Sequence, residues 1–210
     1  MLVIRKYVRI REGECILNGQ CVFRAESLPV RDWLTALYRE RQLEYPKFFK
    51  MDILAKAGFL AAELLMQGEK GADNRRTGLF FANACSSLDT DRHYQETIGE
   101  SYFPSPSVFV YTLPNIVLGE ICIRHRIFGE NTFFVSKEFP VTALRQYTQQ
   151  VFADSGLERA LLGWLECERE VCQVLALLVE EQMEGMEFTD EHINALNNKD
   201  YGRIDGKIEK

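Results

Sequence analysis

The segment Asn83-Ala84-Cys85-Ser86-Ser87-Leu88-Asp89 is the first place to look for chemistry, because it sets a thiol beside two hydroxyls and a carboxylate. A cysteine attacks as the thiolate, which needs a nearby base or a positive field to form at neutral pH. His93, eight residues further on, is the local candidate for that base. The plain alternative is a small, half-buried residue closing a strand, the usual setting of an unpaired cysteine. His125, between Arg124 and Arg126, reads as a helix-end residue, and His192 in Thr-Asp-Glu-His as part of a short polar helix. The six cysteines at 15, 21, 85, 122, 167 and 172 include no C-x-x-C pair and no Cys/His spacing of a zinc site. No metal and no cofactor are therefore expected, and reduced thiols are.

The elements that must position these residues follow from periodicity. Leu2 to Arg11 alternates apolar and polar residues, and Asn18-Gly19 between two short apolar runs supplies the turn of a β-hairpin over about residues 1–25. Residues 29–43 suit a helix with Pro29 near its start. Asp52 can cap a second helix whose Ile53, Ala57, Leu60, Ala61, Leu64 and Leu65 form one apolar face before Gly68. Residues 77–84 read as a buried strand, and 130–136, 159–166 and 172–181 repeat that character. Between 136 and 159, Val141, Leu144, Tyr147 and Val151 recur at helical spacing. Buried strands alternating with helices define an α/β layered domain, here spanning residues 1–196, with 197–210 a loose polar tail.

With 210 residues, 46% of them hydrophobic, the chain is long enough for one core. Its net charge of -6 argues against nucleic acid as a partner, and no apolar run approaches the roughly 20 residues of a membrane span. A cytoplasmic location is expected.

The order of segments is similar to the N-terminal half of β-ketoacyl-[acyl carrier protein] synthases, a family of thiolase-like fold. Phe48 to Met66 resembles their Met-Asp-initiated, Ala-rich helix, and Thr77 to Asp91 their first core strand and its following loop. Pro104 to Asn131 resembles the Pro-rich loop, Asn-initiated helix and Gly turn that come next. Ala160-Leu-Leu-Gly163-Trp164-Leu-Glu166 resembles their Ala-Gly-Gly-x-Glu strand end, with Trp164 where the second Gly is usual. The match runs from about Lys47 to about Glu181. It implies a layered mixed β-sheet with helices on both faces, preceded by the N-terminal hairpin.

The same register moves attention away from Cys85. The family's nucleophilic cysteine falls nine residues after the turn Gly and 25 before the Gly of the strand end, and counts from Gly129 and from Gly163 both reach Glu138. The resemblance places this residue at the head of the helix that follows the strand. An ionised Glu138 would repel a malonyl carboxylate. The family's two catalytic histidines belong to a C-terminal half this sequence does not contain. No catalytic residue is expected, Cys85 with His93 being the alternative nucleophile and base.

The resemblance therefore implies an accessory or partner subunit in fatty-acid or polyketide-type synthesis, not an active 3-oxoacyl-ACP synthase. Alternatives are an acyl-transferring or split synthase acting with another chain, and a structural homodimer without acyl chemistry. The expected partners are a second copy or a full-length ketosynthase, joined through Thr132, Phe133, Phe134 and Val135, and an acyl carrier protein. The acidic C-terminal runs read as a solvated face, which leaves Arg75, Arg76, Arg124 and Arg126 as carrier-docking candidates. A single half-fold also predicts that the helix after the nucleophile position lacks a cover.

Overall fold

Alternation draws the N-terminus into β1 (Leu2–Arg11), which continues through β2 (Glu14–Leu17) and β3 (Gln20–Arg24) as an antiparallel meander. The computed structural model describes residues 1–69, 74–98 and 103–198; the polar tail from 199 lies outside them. The expected hairpin is thus three-stranded. Asn18 (φ 49°) and Gly19 (φ 82°) form its second turn, and Glu12 (φ 52°) with Gly13 (φ 76°) forms a first one. Two successive left-handed residues are what a type I′ turn requires, and Glu-Gly announces them less clearly than Asn-Gly.

After α1 (Val30–Glu40) and α2 (Ile53–Met66) come β4 (Thr77–Asn83), α3 (Leu88–Thr97), the one-turn α4 (Pro106–Phe109) and α5 (Ile116–His125). Then follow β5 (Asn131–Val135), α6 (Val141–Ser155), β6 (Arg159–Glu168), β7 (Val171–Glu181), β8 (Met186–Glu187) and α7 (Asp190–Asn197). All eight strands join one mixed sheet in the order β3-β2-β1-β7-β6-β4-β5, with β8 paired to β1. β4 is parallel to both β5 and β6, and the remaining pairs are antiparallel.

Strand alternation feeds two cores. Leu79, Phe81, Leu161, Leu165, Ala176 and Leu178 meet α1, α2 and α5 on one face. Phe80, Leu162, Leu175 and Leu177 meet α6 and α7 on the other. A bulge between Ile4 and Lys6 shifts the phase of β1, so Ile4 joins the second core while Val8 and Ile10 join the first. Asp52 caps α2 by accepting from the Ala55 amide at 2.8 Å. The helix is buried on nearly every side, beyond the single apolar face its periodicity suggested, because α1 and α5 cover what the sheet does not.

Four expectations need correction. β5 is an edge strand with Asn131 and Val135 exposed, because it has β4 on one side and, among the described residues, no strand on the other. α6 has a cover of the chain's own: α7 lies on it through Arg145–Asp190 (2.5 Å) and Thr142–Asp190 (2.7 Å) and buries Ile193 and Leu196. α7 is accordingly amphipathic, with Thr189 accepting from the His192 amide as its N-cap. Finally, Cys167 and Cys172 are not free thiols; they face each other across β6 and β7 and are joined.

Candidate functional site

Both glycines that set the register are demanded by backbone geometry. A Cβ on Gly129 would lie 2.3 Å from the Thr77 carbonyl oxygen, and one on Gly163 (φ 150°) would lie 1.9 Å from that of Leu175. A side chain at either position would push neighbouring strands apart. The stretch between them is β5, the loop 136–140 and α6.

Glu138 stands in that loop, exposed, with Pro140 as the residue preceding α6. It does not head the helix, and it makes no hydrogen bond among the described residues. A group there is displaced from the amides of the first helical turn, whose field would stabilise an anion or lower a thiol pKa. The backbone of the loop continues the sheet for one more step, the Ser136 amide donating to the Asn83 carbonyl at 2.9 Å. Phe139 then packs on Trp164, ring centroids 5.6 Å apart. Beside the loop, Phe134, Val135, Ser136, Pro140, Ala143, Leu144 and Tyr147 line a groove of about 380 Å³ between β5 and α6. Its polar atoms are few, and the Tyr147 hydroxyl is engaged with Thr132 Oγ1 at 3.0 Å.

Cys85 lies where β4 gives way to α3. The Asn83 side chain holds this corner, accepting from the Ser86 amide (3.0 Å) and donating to the Ser86 carbonyl (2.8 Å), which fixes Ser86 left-handed at φ 52°. Glu166 Oε2 accepts from the Ala84 amide at 2.6 Å, and Cys85 Sγ donates to Glu168 Oε2 at 3.2 Å. The neighbouring Glu166 carboxylate, then burial and Glu168, push the thiol up to about 12. This is the reverse of the positive field a nucleophilic thiolate needs. His93 is a poor base for it, since its ring points outward on α3 toward Glu96 at 3.6 Å, with 59% of its side chain exposed.

The four arginines differ in their settings, Arg76 being exposed as well as paired. Arg124 grips Glu63 through Nε (2.7 Å) and Nη2 (3.1 Å), and Arg76 Nη1 pairs with Glu158 at 2.5 Å. Arg75 and Arg126 are exposed, and Arg126 ends α5 in the left-handed conformation, φ 54°. His125, the last residue of α5, turns inward to Glu63 at 3.1 Å. Burial opposes ionisation of Glu63, but His125 and Arg124 outweigh it and bring the carboxyl down to about 2. No sequence motif marks this triad, because Glu63 is 61 residues from Arg124. Lys56, also unforeseen, is buried against Phe48, donates to the Met51 carbonyl at 2.6 Å, and is lowered to about 8 by burial and Arg31.

A mixed sheet with helices on both faces, the loop 136–140 running from the parallel strand β5 into α6, is a layered α/β architecture of thiolase-like type. No protein-family model and no curated protein matches the sequence. Solved structures do match in fold. The ishigamide ketosynthase/chain length factor superposes with TM-score 0.63 at 15% identity, over 86% of this chain and 62% of that one. The complex of the ketosynthase ApeO with its chain length factor ApeC from Xenorhabdus doucetiae gives TM-score 0.63 at 12% identity, over 97% of this chain and 92% of the matched chain. The AntDE:AntF assembly, a type II PKS acyl-carrier protein in complex with its ketosynthase, gives TM-score 0.60 at 11% identity and again spans 62% of the matched chain. The chain thus covers less than two thirds of two of these relatives and nearly all of the third.

Proposed function

We propose that the chain is a non-catalytic, ketosynthase-like accessory subunit that binds a ketosynthase and helps to form its acyl cavity. The observation that carries this reading is the loop between β5 and α6, which presents an exposed Glu138 beside an apolar groove, at the position that the family resemblance counts as the nucleophile's. Cys85 is a poor nucleophile, because two neighbouring carboxylates favour its protonated form. The matched ApeO–ApeC complex supports the pairing by its composition, and the matched chain there has nearly the length of this one.

The partner would add to the open edge of β5, where Thr132 to Val135 present unpaired backbone groups. Co-expression with a ketosynthase encoded beside this chain, followed by affinity purification and native mass spectrometry, tests the reading. A stoichiometric 1:1 complex is expected. Recovery of this chain alone sinks the accessory role.

A second reading is favoured by the same edge: the chain pairs with its own copy through β5, without acyl chemistry. Sedimentation of the purified chain separates the two, a homodimer with no retained ketosynthase supporting the second. Acyl transfer from an acylated carrier protein, abolished by Cys85→Ala, is the outcome that overturns both.

A further inference from the structure

The turn between β6 and β7 brings together a pair of sulfurs and the anchors of two helices. Cys167 and Cys172 are direct partners across the ladder, with Cα atoms 4.2 Å apart. The three residues that follow Cys167 each hold another part of the chain. Glu168 pairs with Arg92 of α3 and accepts from Cys85. The Arg169 amide donates to Asp89 Oδ1 at 3.1 Å, at the start of the same helix, with Arg169 itself left-handed at φ 53°. Glu170 Oε2 accepts from the Val30 amide at 3.0 Å and so caps α1, which has no side-chain cap of its own.

We propose that Cys167–Cys172 is a reversible redox modification site whose state sets how firmly this turn holds α1 and α3. Residues directly opposite in an antiparallel pair already have adjacent Cβ atoms, so the bond forms and breaks with little movement of the strands. The contacts made by residues 168–170 are individually weak and partly exposed, and a left-handed arginine disfavours the turn that makes them. A covalent tie across its base compensates for that, and its removal releases both helix starts together.

The reductant is a dithiol. Its thiolate attacks Cys172 Sγ, which is half-buried, and not Cys167, which is 3% exposed. The sulfur–sulfur bond breaks with its electron pair on Cys167 Sγ, which takes up a proton. The second thiol of the reductant then displaces Cys172 as a thiol, and the reductant departs as its own disulfide, two electrons and two protons having passed to the protein.

The test uses the intact chain equilibrated with oxidised or reduced dithiothreitol, followed by alkylation, peptide mass spectrometry and hydrogen exchange. The oxidised sample is expected to protect Cys167 and Cys172 from alkylation. Reduction is expected to raise exchange in peptides covering 29–34 and 88–92 on the order of tenfold, with residues 53–66 of α2 unchanged. The double substitution Cys167→Ser/Cys172→Ser should reproduce the reduced pattern. Full alkylation of both cysteines under oxidising conditions, identical exchange in the two states, or a double variant that behaves like the oxidised protein each overturns the proposal.

Discussion

Helices α2 and α6 lie against opposite faces of one sheet, and the chain treats them differently. α2 has twelve of its fourteen residues buried, whereas α6 has three of fifteen: Val141, Leu144 and Thr148. The sheet, α1 and α5 enclose α2, and α5 approaches so closely that a Cβ on Gly58 would lie 2.3 Å from Val117. Among the described helices, α7 is the main cover of α6, held largely by Asp190. Its remaining surface is divided between a polar strip, Gln146, Gln149 and Gln150, and the apolar groove against β5. One face of the molecule is finished from within. The other leaves part of its helix exposed and keeps an apolar border against β5.

From that contrast, the largest losses are expected on the α2 side. Leu60→Ala, at a fully buried position, is expected to cost about 2–5 kcal/mol in denaturant unfolding. A loss under 1 kcal/mol would mean that α2 is not enclosed. Acid tests the same side. Glu63 is held at about 2 in the folded chain against an ordinary 4.5, so its stabilising contribution is present above pH 4.5 and is lost as pH falls toward 2. The acid limb between these values should carry roughly 2–3 kcal/mol, and Glu63→Gln should flatten it. Lys56 gives the alkaline counterpart, somewhat smaller because part of its shift is screened. Its folded value of about 8 lies below the ordinary 10.5, so the unfolded chain binds more protons between them and stability rises with pH in that window. Lys56→Met should remove that rise, and an unchanged slope would show that Lys56 is solvated.

Much of this division was legible in the sequence. The Asp52 cap, the apolar run of β4 and the helical spacing of α6 each have a local signature, and each element formed. The losses were non-local. Nothing near Asn131 to Val135 says that no strand lies beyond it, so an edge strand read as a buried one. α3 was missed because Leu88 to Thr97 is largely polar, its hold on the fold coming through single contacts such as Thr90 to Asp52 at 2.6 Å. Cys167 and Cys172 read as independent until the turn that joins their strands set them opposite each other. The candidate site was no more legible: the exposure of Glu138 and the groove beside it depend on the path from β5 into α6.

The smallest effect on stability should accompany the largest effect on association. Val135, 57% exposed at the end of the open edge, contacts little within the chain, so Val135→Arg should change unfolding free energy by no more than about 0.5 kcal/mol. A charge on an edge strand opposes the addition of another strand, and guanidinium beside the apolar groove would also have to be desolvated by whatever covers it. Sedimentation of Val135→Arg, alone and mixed with the co-expressed ketosynthase, should therefore show a folded monomer that has lost its partner. Retained association at unchanged affinity would place the interface elsewhere, and would leave the open side of α6 as a face adapted to solvent by its glutamines.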